Sequence, residues 1–79
     1  MNDLDKLLSV LADINEDVDF AREKALVDEG LIDSFDIIAL IAAIDENFGV
    51  RIEVADIEPE NFNSAEEILQ LIERYRGMR

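Results

Sequence analysis

The chain has 79 residues, with twenty aspartates and glutamates against seven lysines and arginines, a net charge of −13 at neutral pH. Without cysteine or histidine it has no disulfide, no thiolate metal site, no imidazole base and no imidazole zinc ligand. The charge opposes nucleic acid, whose phosphates would be repelled, and favours basic protein partners.

The length predicts one small domain over 1–79, with a core near the lower limit for stability without staples. The longest apolar run, Ile37 to Ile44, falls far short of the roughly twenty residues a membrane span needs. Met1-Asn2-Asp3 lacks the basic and apolar regions of a signal peptide, so a cytoplasmic monomer is expected.

Leu4, Leu7, Leu8 and Leu11 recur at helical spacing and predict an amphipathic helix over 3–12. Asp3 and Asp5 fall in its first turn, where the helix dipole favours them. Residues 13–30 read as a long acidic loop. Its Asp13, Asn15, Asp17 and Asp19 alternate as in a calcium loop. However, Val18 stands where such a loop needs glycine, and Lys24 where it needs a bidentate glutamate. No metal site is expected. Phe20, Ala25, Leu26 and Leu31 are the residues able to pin this loop to the core, and Asp19 can cap a short helical turn.

A second helix is predicted over 34–48, closed by Gly49 in the left-handed conformation. Ile37, Leu40, Ile41, Ile44 and Phe48 project into one core stripe. The opposite face carries Phe35, Ala39, Ala42 and Glu46, flanked by Asp36 and Asp45. One reading is a scatter of ordinary exposed apolar residues. The other is a docking surface whose small residues allow close approach and whose acids select basic partners.

Val50, Ile52 and Val54 alternate like a strand, yet no second strand is available to pair with them. They are expected to cross the bundle extended, with their side chains turned inward. Pro59 suits the first turn of a short helix over 59–62. The last helix, about 64–76, has Ala65, Ile68, Leu69, Ile72 and Tyr75 on its apolar stripe and Arg74 and Arg76 at its C-terminal end. Gly77-Met78-Arg79 reads as a frayed tail. The expected fold is all-α, a small bundle of three main helices plus one short helix.

Hydroxyl side chains are scarce: Ser9, Ser34, Ser64 and Tyr75, with no threonine. Ser64 is placed to cap its helix, with Glu67 reciprocating three positions on. Ser34 differs. If Asp33 caps the second helix and Asp36 reaches back from the third position, with Ile32 and Ile37 as a hydrophobic staple, Ser34 has no structural task. Its hydroxyl then stands free on a helix N-terminus, where an anion is favoured.

Asp33-Ser34-Phe35, preceded by Gly30-Leu31-Ile32 and followed by a helix ending Glu46-Asn47-Phe48-Gly49, resembles the acyl carrier protein family, peptidyl and D-alanyl carriers included. The resemblance extends through Ile52 and the Ser64 helix, and so covers nearly the whole chain. It implies that Ser34, with Asp33 beside it, receives 4′-phosphopantetheine from coenzyme A through a phosphopantetheinyl transferase. The arm's thiol would then carry an acyl or aminoacyl thioester between enzymes, in fatty-acid, polyketide, nonribosomal peptide or D-alanyl transfer. The chain itself would be a non-catalytic subunit.

Its partners would be that transferase, an acyl- or aminoacyl-loading ligase, and a downstream acyltransferase or synthase. Phe35, Asp36, Ile38, Ala39, Ala42, Asp45 and Glu46 map onto the face that family members present to their enzymes. Two positions depart from the pattern. Phenylalanine follows the serine where leucine or methionine is usual, and Ala39 stands where fatty-acid carriers usually have glutamate. The run Asp28-Glu29-Gly30-Leu31-Ile32-Asp33-Ser34 looks closer to D-alanyl and other specialised stand-alone carriers. The alternative is an acidic helical interaction module with no prosthetic group.

Overall fold

The computed structural model describes residues 2–77. It contains four helices, α1 (Asp3–Ile14), α2 (Ser34–Phe48), α3 (Pro59–Phe62) and α4 (Ala65–Gly77), with a 3-10 turn at Val54–Asp56 between α2 and α3. No strand occurs among the described residues. This is the all-α bundle the sequence predicts.

Helix α1 begins at Asn2, whose Oδ1 accepts the Asp5 N–H at 2.8 Å. It runs two residues past the expected end at residue 12, and the Asn15 N–H still donates to the Leu11 carbonyl at 3.0 Å. It buries Leu7, Val10 and Leu11, while Leu4 and Leu8 are half-buried. In α2 the deep positions are Leu40, Ile44 and Phe48; Ile37 and Ile41, placed on the core stripe by periodicity, are half-buried. The helix is apolar around most of its circumference, so its pattern alone does not define the edge of the buried stripe.

Helix α2 has no base in its own last turn. Gly49 closes it at φ 67°, and Lys6 reaches across from α1 to donate to the Asn47 carbonyl. The same ammonium lies 4.8 Å from the Phe48 ring centroid, and the Arg76 guanidinium of α4 lies 5.3 Å from it. Arg76 also pairs with Asp3 at 2.7 Å. Two of the seven bases thus hold three helix ends together.

Val50 and Ile52 turn inward as expected, but Val54 is 83% exposed. The alternation stops because the 3-10 turn starts at Val54. Tyr75 of α4 holds this turn: its hydroxyl accepts the Glu53 N–H at 2.9 Å and donates to the Asp56 carboxylate. Helix α4 starts after Ser64, a buried cap whose Oγ accepts the Glu67 N–H and donates to the Glu67 carboxylate, both at 3.1 Å. The reciprocal bond therefore returns to the hydroxyl. Helix α4 buries Leu71 together with Ala65, Ile68 and Ile72, and leaves Leu69 and Tyr75 half-buried. Gly77 ends α4, and the rest of the expected tail, Met78-Arg79, lies outside the described residues.

The acidic loop is a folded strap. The Asp19 carbonyl accepts from the Arg22 and Glu23 N–H groups at 3.1 and 3.0 Å. Phe20 and Leu26 are buried in the core, and Leu31 is half-buried against it.

Because Ile44 is fully buried, Ile44→Ala should cost about 2–5 kcal/mol in urea unfolding, and Ile41→Ala distinctly less. Equal losses would mean the two share one depth. Burial first, then the bond to Asp56, raises the Tyr75 phenol above its usual range, against the Glu53 N–H, which lowers it. A raised acid stabilises the fold below its unfolded pKa of about 10 and loses that contribution as pH rises through the folded value. Tyr75→Phe should therefore flatten the alkaline fall in stability, read by denaturation at pH values from about 9 to 12.

Candidate functional site

The path to Ser34 starts at the strap's one fully buried leucine. The Leu26 carbonyl accepts both the Leu31 N–H at 2.8 Å and the Ile32 N–H at 3.1 Å. Gly30, at φ 70°, supplies the left-handed residue that folds the chain back onto that carbonyl. Ile32 is buried, and the backbone extends through Asp33 at φ −116° and ψ −172°.

The Asp33 side chain then accepts the Asp36 N–H at 3.0 Å, and the Asp36 carboxylate accepts the Asp33 N–H at 3.2 Å. This is a complete capping box in which aspartate takes both roles. The Asp33 carbonyl receives the first intrahelical bond, from the Ile37 N–H at 3.0 Å.

Ser34 is the first helical residue and is exposed. Its hydroxyl makes no hydrogen bond to a described residue, whereas the Ser64 hydroxyl makes two. The N–H groups of Ser34 and Phe35 are likewise without partners among the described residues, as expected in a first helical turn. A free alcohol beside two free donors on the positive end of a helix suits a phosphodiester linkage.

The outward face of α2 continues from this point. Phe35 is 82% and Ile38 is 65% exposed, and Ala39, Ala42, Asp45 and Glu46 are also exposed. Asp36 is half-buried and engaged in the capping box. Asp45 is only loosely paired, 3.8 Å from a highly exposed Arg51, which leaves it available. Large exposed apolar side chains are few; Val54 is the third, and its alternating pattern pointed to the interior.

A family model described as the phosphopantetheine attachment site matches residues 5–72. The chain belongs to that family; it is a carrier protein, and its prosthetic group is a covalently attached 4′-phosphopantetheine. Among its relatives is the D-alanyl carrier protein of Bacillus licheniformis, 27% identical over 74 residues covering 90% of this chain and 94% of that one. The D-alanyl carrier protein of Enterococcus faecalis is 29% identical over 75 residues, 92% of this chain and 96% of its own. The acyl carrier protein of Buchnera aphidicola is 42% identical over 54 residues, 68% of this chain and 67% of its own.

Asp33→Ala removes the acceptor for the Asp36 amide and should cost about 1 kcal/mol in thermal or urea unfolding. The Asp36 amide should exchange faster with solvent, while amides in the middle of α2 should not. An unchanged melting temperature would show that the box contributes nothing.

Proposed function

We propose that Ser34 is the attachment residue and that the chain presents an acyl or aminoacyl thioester to its partner enzymes from there. The observation that supports this is the free, exposed hydroxyl next to a cap that is already complete. In the attachment reaction Ser34 Oγ bonds to the pantetheine-side phosphorus of coenzyme A, the P–O bond to adenosine 3′,5′-bisphosphate breaks, and the hydroxyl proton passes to a base on the transferase. The group supplies the thiol that the cysteine-free chain lacks, and with it the thioester link.

The chain's own residues hold and present. Asp33 and Asp36 secure the helix start, the free N–H groups of Ser34 and Phe35 would stabilise the phosphodiester's charge, and Phe35, Ile38, Ala39, Ala42, Asp45 and Glu46 form the surface that partners dock on. Those partners are a phosphopantetheinyl transferase, a loading ligase and an acceptor enzyme, each bringing a basic surface to meet the acids. The chain acts as a non-catalytic monomer in the cytoplasm; no helix among the described residues is long and apolar enough to cross a membrane. Relatives named D-alanyl carrier protein match nearly end to end, and this favours an aminoacyl cargo. The acyl carrier match, over a shorter stretch at higher identity, keeps a simple acyl group as the second reading. Family membership leaves no support for an interaction module without the group.

Coexpression with a broad-specificity phosphopantetheinyl transferase should add the mass of one arm to the wild-type chain and to Ser9→Ala, and none to Ser34→Ala. An arm on Ser34→Ala would move the site elsewhere. Asp45→Lys or Glu46→Lys should slow modification about tenfold at low salt, less at high salt, with little change in melting temperature. Asp36 is a poorer probe, because reversing it also breaks the capping box.

A further inference from the structure

The strap that delivers Ser34 is held by a residue 35 or more positions beyond the groups it binds. Asn63, between α3 and the Ser64 cap of α4, makes four hydrogen bonds to it. Its backbone carbonyl accepts the Leu26 N–H at 2.9 Å. Its side-chain oxygen accepts the Val27 N–H at 3.0 Å and the Asp28 N–H at 3.1 Å, and its amide nitrogen donates to the Asp28 carboxylate at 3.1 Å. One planar amide thus meets two successive backbone donors and one acceptor. Leu26 passes the constraint on, since its carbonyl is the one that receives the Leu31 and Ile32 amides just before Asp33.

We propose that Asn63 is a positioning residue for attachment at Ser34, acting through Leu26 and the 26–32 strap; this rests on the reading of Ser34 as the attachment residue. Few other polar ties compete with it. Lys24 and Glu66 also join the strap to α4, at 2.8 Å, but both side chains are about half exposed or more, and such pairs hold little. The amide pattern also explains why the residue is asparagine. Aspartate lacks the donor for Asp28 and would set two carboxylates against each other, and a shorter side chain reaches neither amide.

The test uses the full-length chain, coenzyme A and a broad-specificity phosphopantetheinyl transferase in excess, with single-turnover rates measured against transferase concentration. Asn63→Ala should lower the saturating rate about tenfold while leaving the half-saturating concentration near wild type, since the α2 docking face is untouched. A core variant such as Ile72→Val, matched for loss of melting temperature, should keep the saturating rate. Lys24→Ala should behave as wild type. The Leu31 and Ile32 amides should exchange with solvent about tenfold faster in Asn63→Ala and not in the matched variant.

If Asn63→Ala does not fold, Asn63→Asp should show the same rate loss, and the double variant Asn63→Asp/Asp28→Asn, which swaps donor and acceptor, should recover it. The proposal is overturned by a wild-type saturating rate in folded Asn63→Ala or Asn63→Asp, by an equal loss in the matched variant, or by unchanged exchange at Leu31 and Ile32. An arm on Ser34→Ala in the same assay would instead overturn the attachment reading. The exchange data do not depend on that reading and decide the relay separately.

Discussion

The structure depends most on how the first turn of α2 meets its hydrogen-bonding needs. A helix start has orphan donors, and the nearest short polar side chain ordinarily takes them. Here Asp33 and Asp36 satisfy each other's amides, so the serine between them has no part in holding the helix. Ser64 is in the opposite position. The same hydroxyl group, buried and twice bonded, is committed to starting α4. With the capping left to aspartates, the Ser34 hydroxyl is not needed by the fold.

Charge is divided in a similar way. With twenty acids and seven bases, self-repulsion works against compaction, and the bases in the described residues are placed where they offset it. Lys6 and Arg76 join α1, α2 and α4 around Phe48 and Asp3. Arg74 reaches Asn61 of α3 at 3.3 Å, and Lys24 ties the strap to α4. The Arg76 guanidinium, first by its hydrogen bond, holds the Asp3 carboxyl below the usual range, so this tie strengthens above the unfolded carboxylate pKa and fades as pH falls through the folded one. Helix α2 carries acids and no base. Its outer face therefore sets the exposed Phe35 and Ile38 beside acids with no base among them.

The helices were legible because each announces itself locally: a leucine repeat in α1, the capping box and closing glycine of α2, Pro59 in the first turn of α3, the serine cap of α4. Ser34 was legible for the same reason, since its freedom follows from the identities of its neighbours at positions 33 and 36. Three things were not. Val54 continued an alternation that the chain abandons for a 3-10 turn held by Tyr75, a partner twenty-two residues from Glu53. Ile41 sat on a helix too uniformly apolar for its period to mark where burial ends. In strap 13–30 the apolar anchors Phe20 and Leu26 stood out in the sequence, but the hydrogen bonds from Asn63 that order it did not. Propensity and periodicity report neighbours in sequence, and long-range amide bonds leave no trace in either.

That difference has a functional side. A strap with a regular element of its own would carry a stability set locally. This one borrows stability from the α3–α4 junction, through an asparagine and a single buried leucine carbonyl. Local opening of such a segment is governed by the few bonds that hold it rather than by the whole core. The start of α2 is thus tied, through the strap, to the end of α3, a one-turn helix with little internal stability of its own.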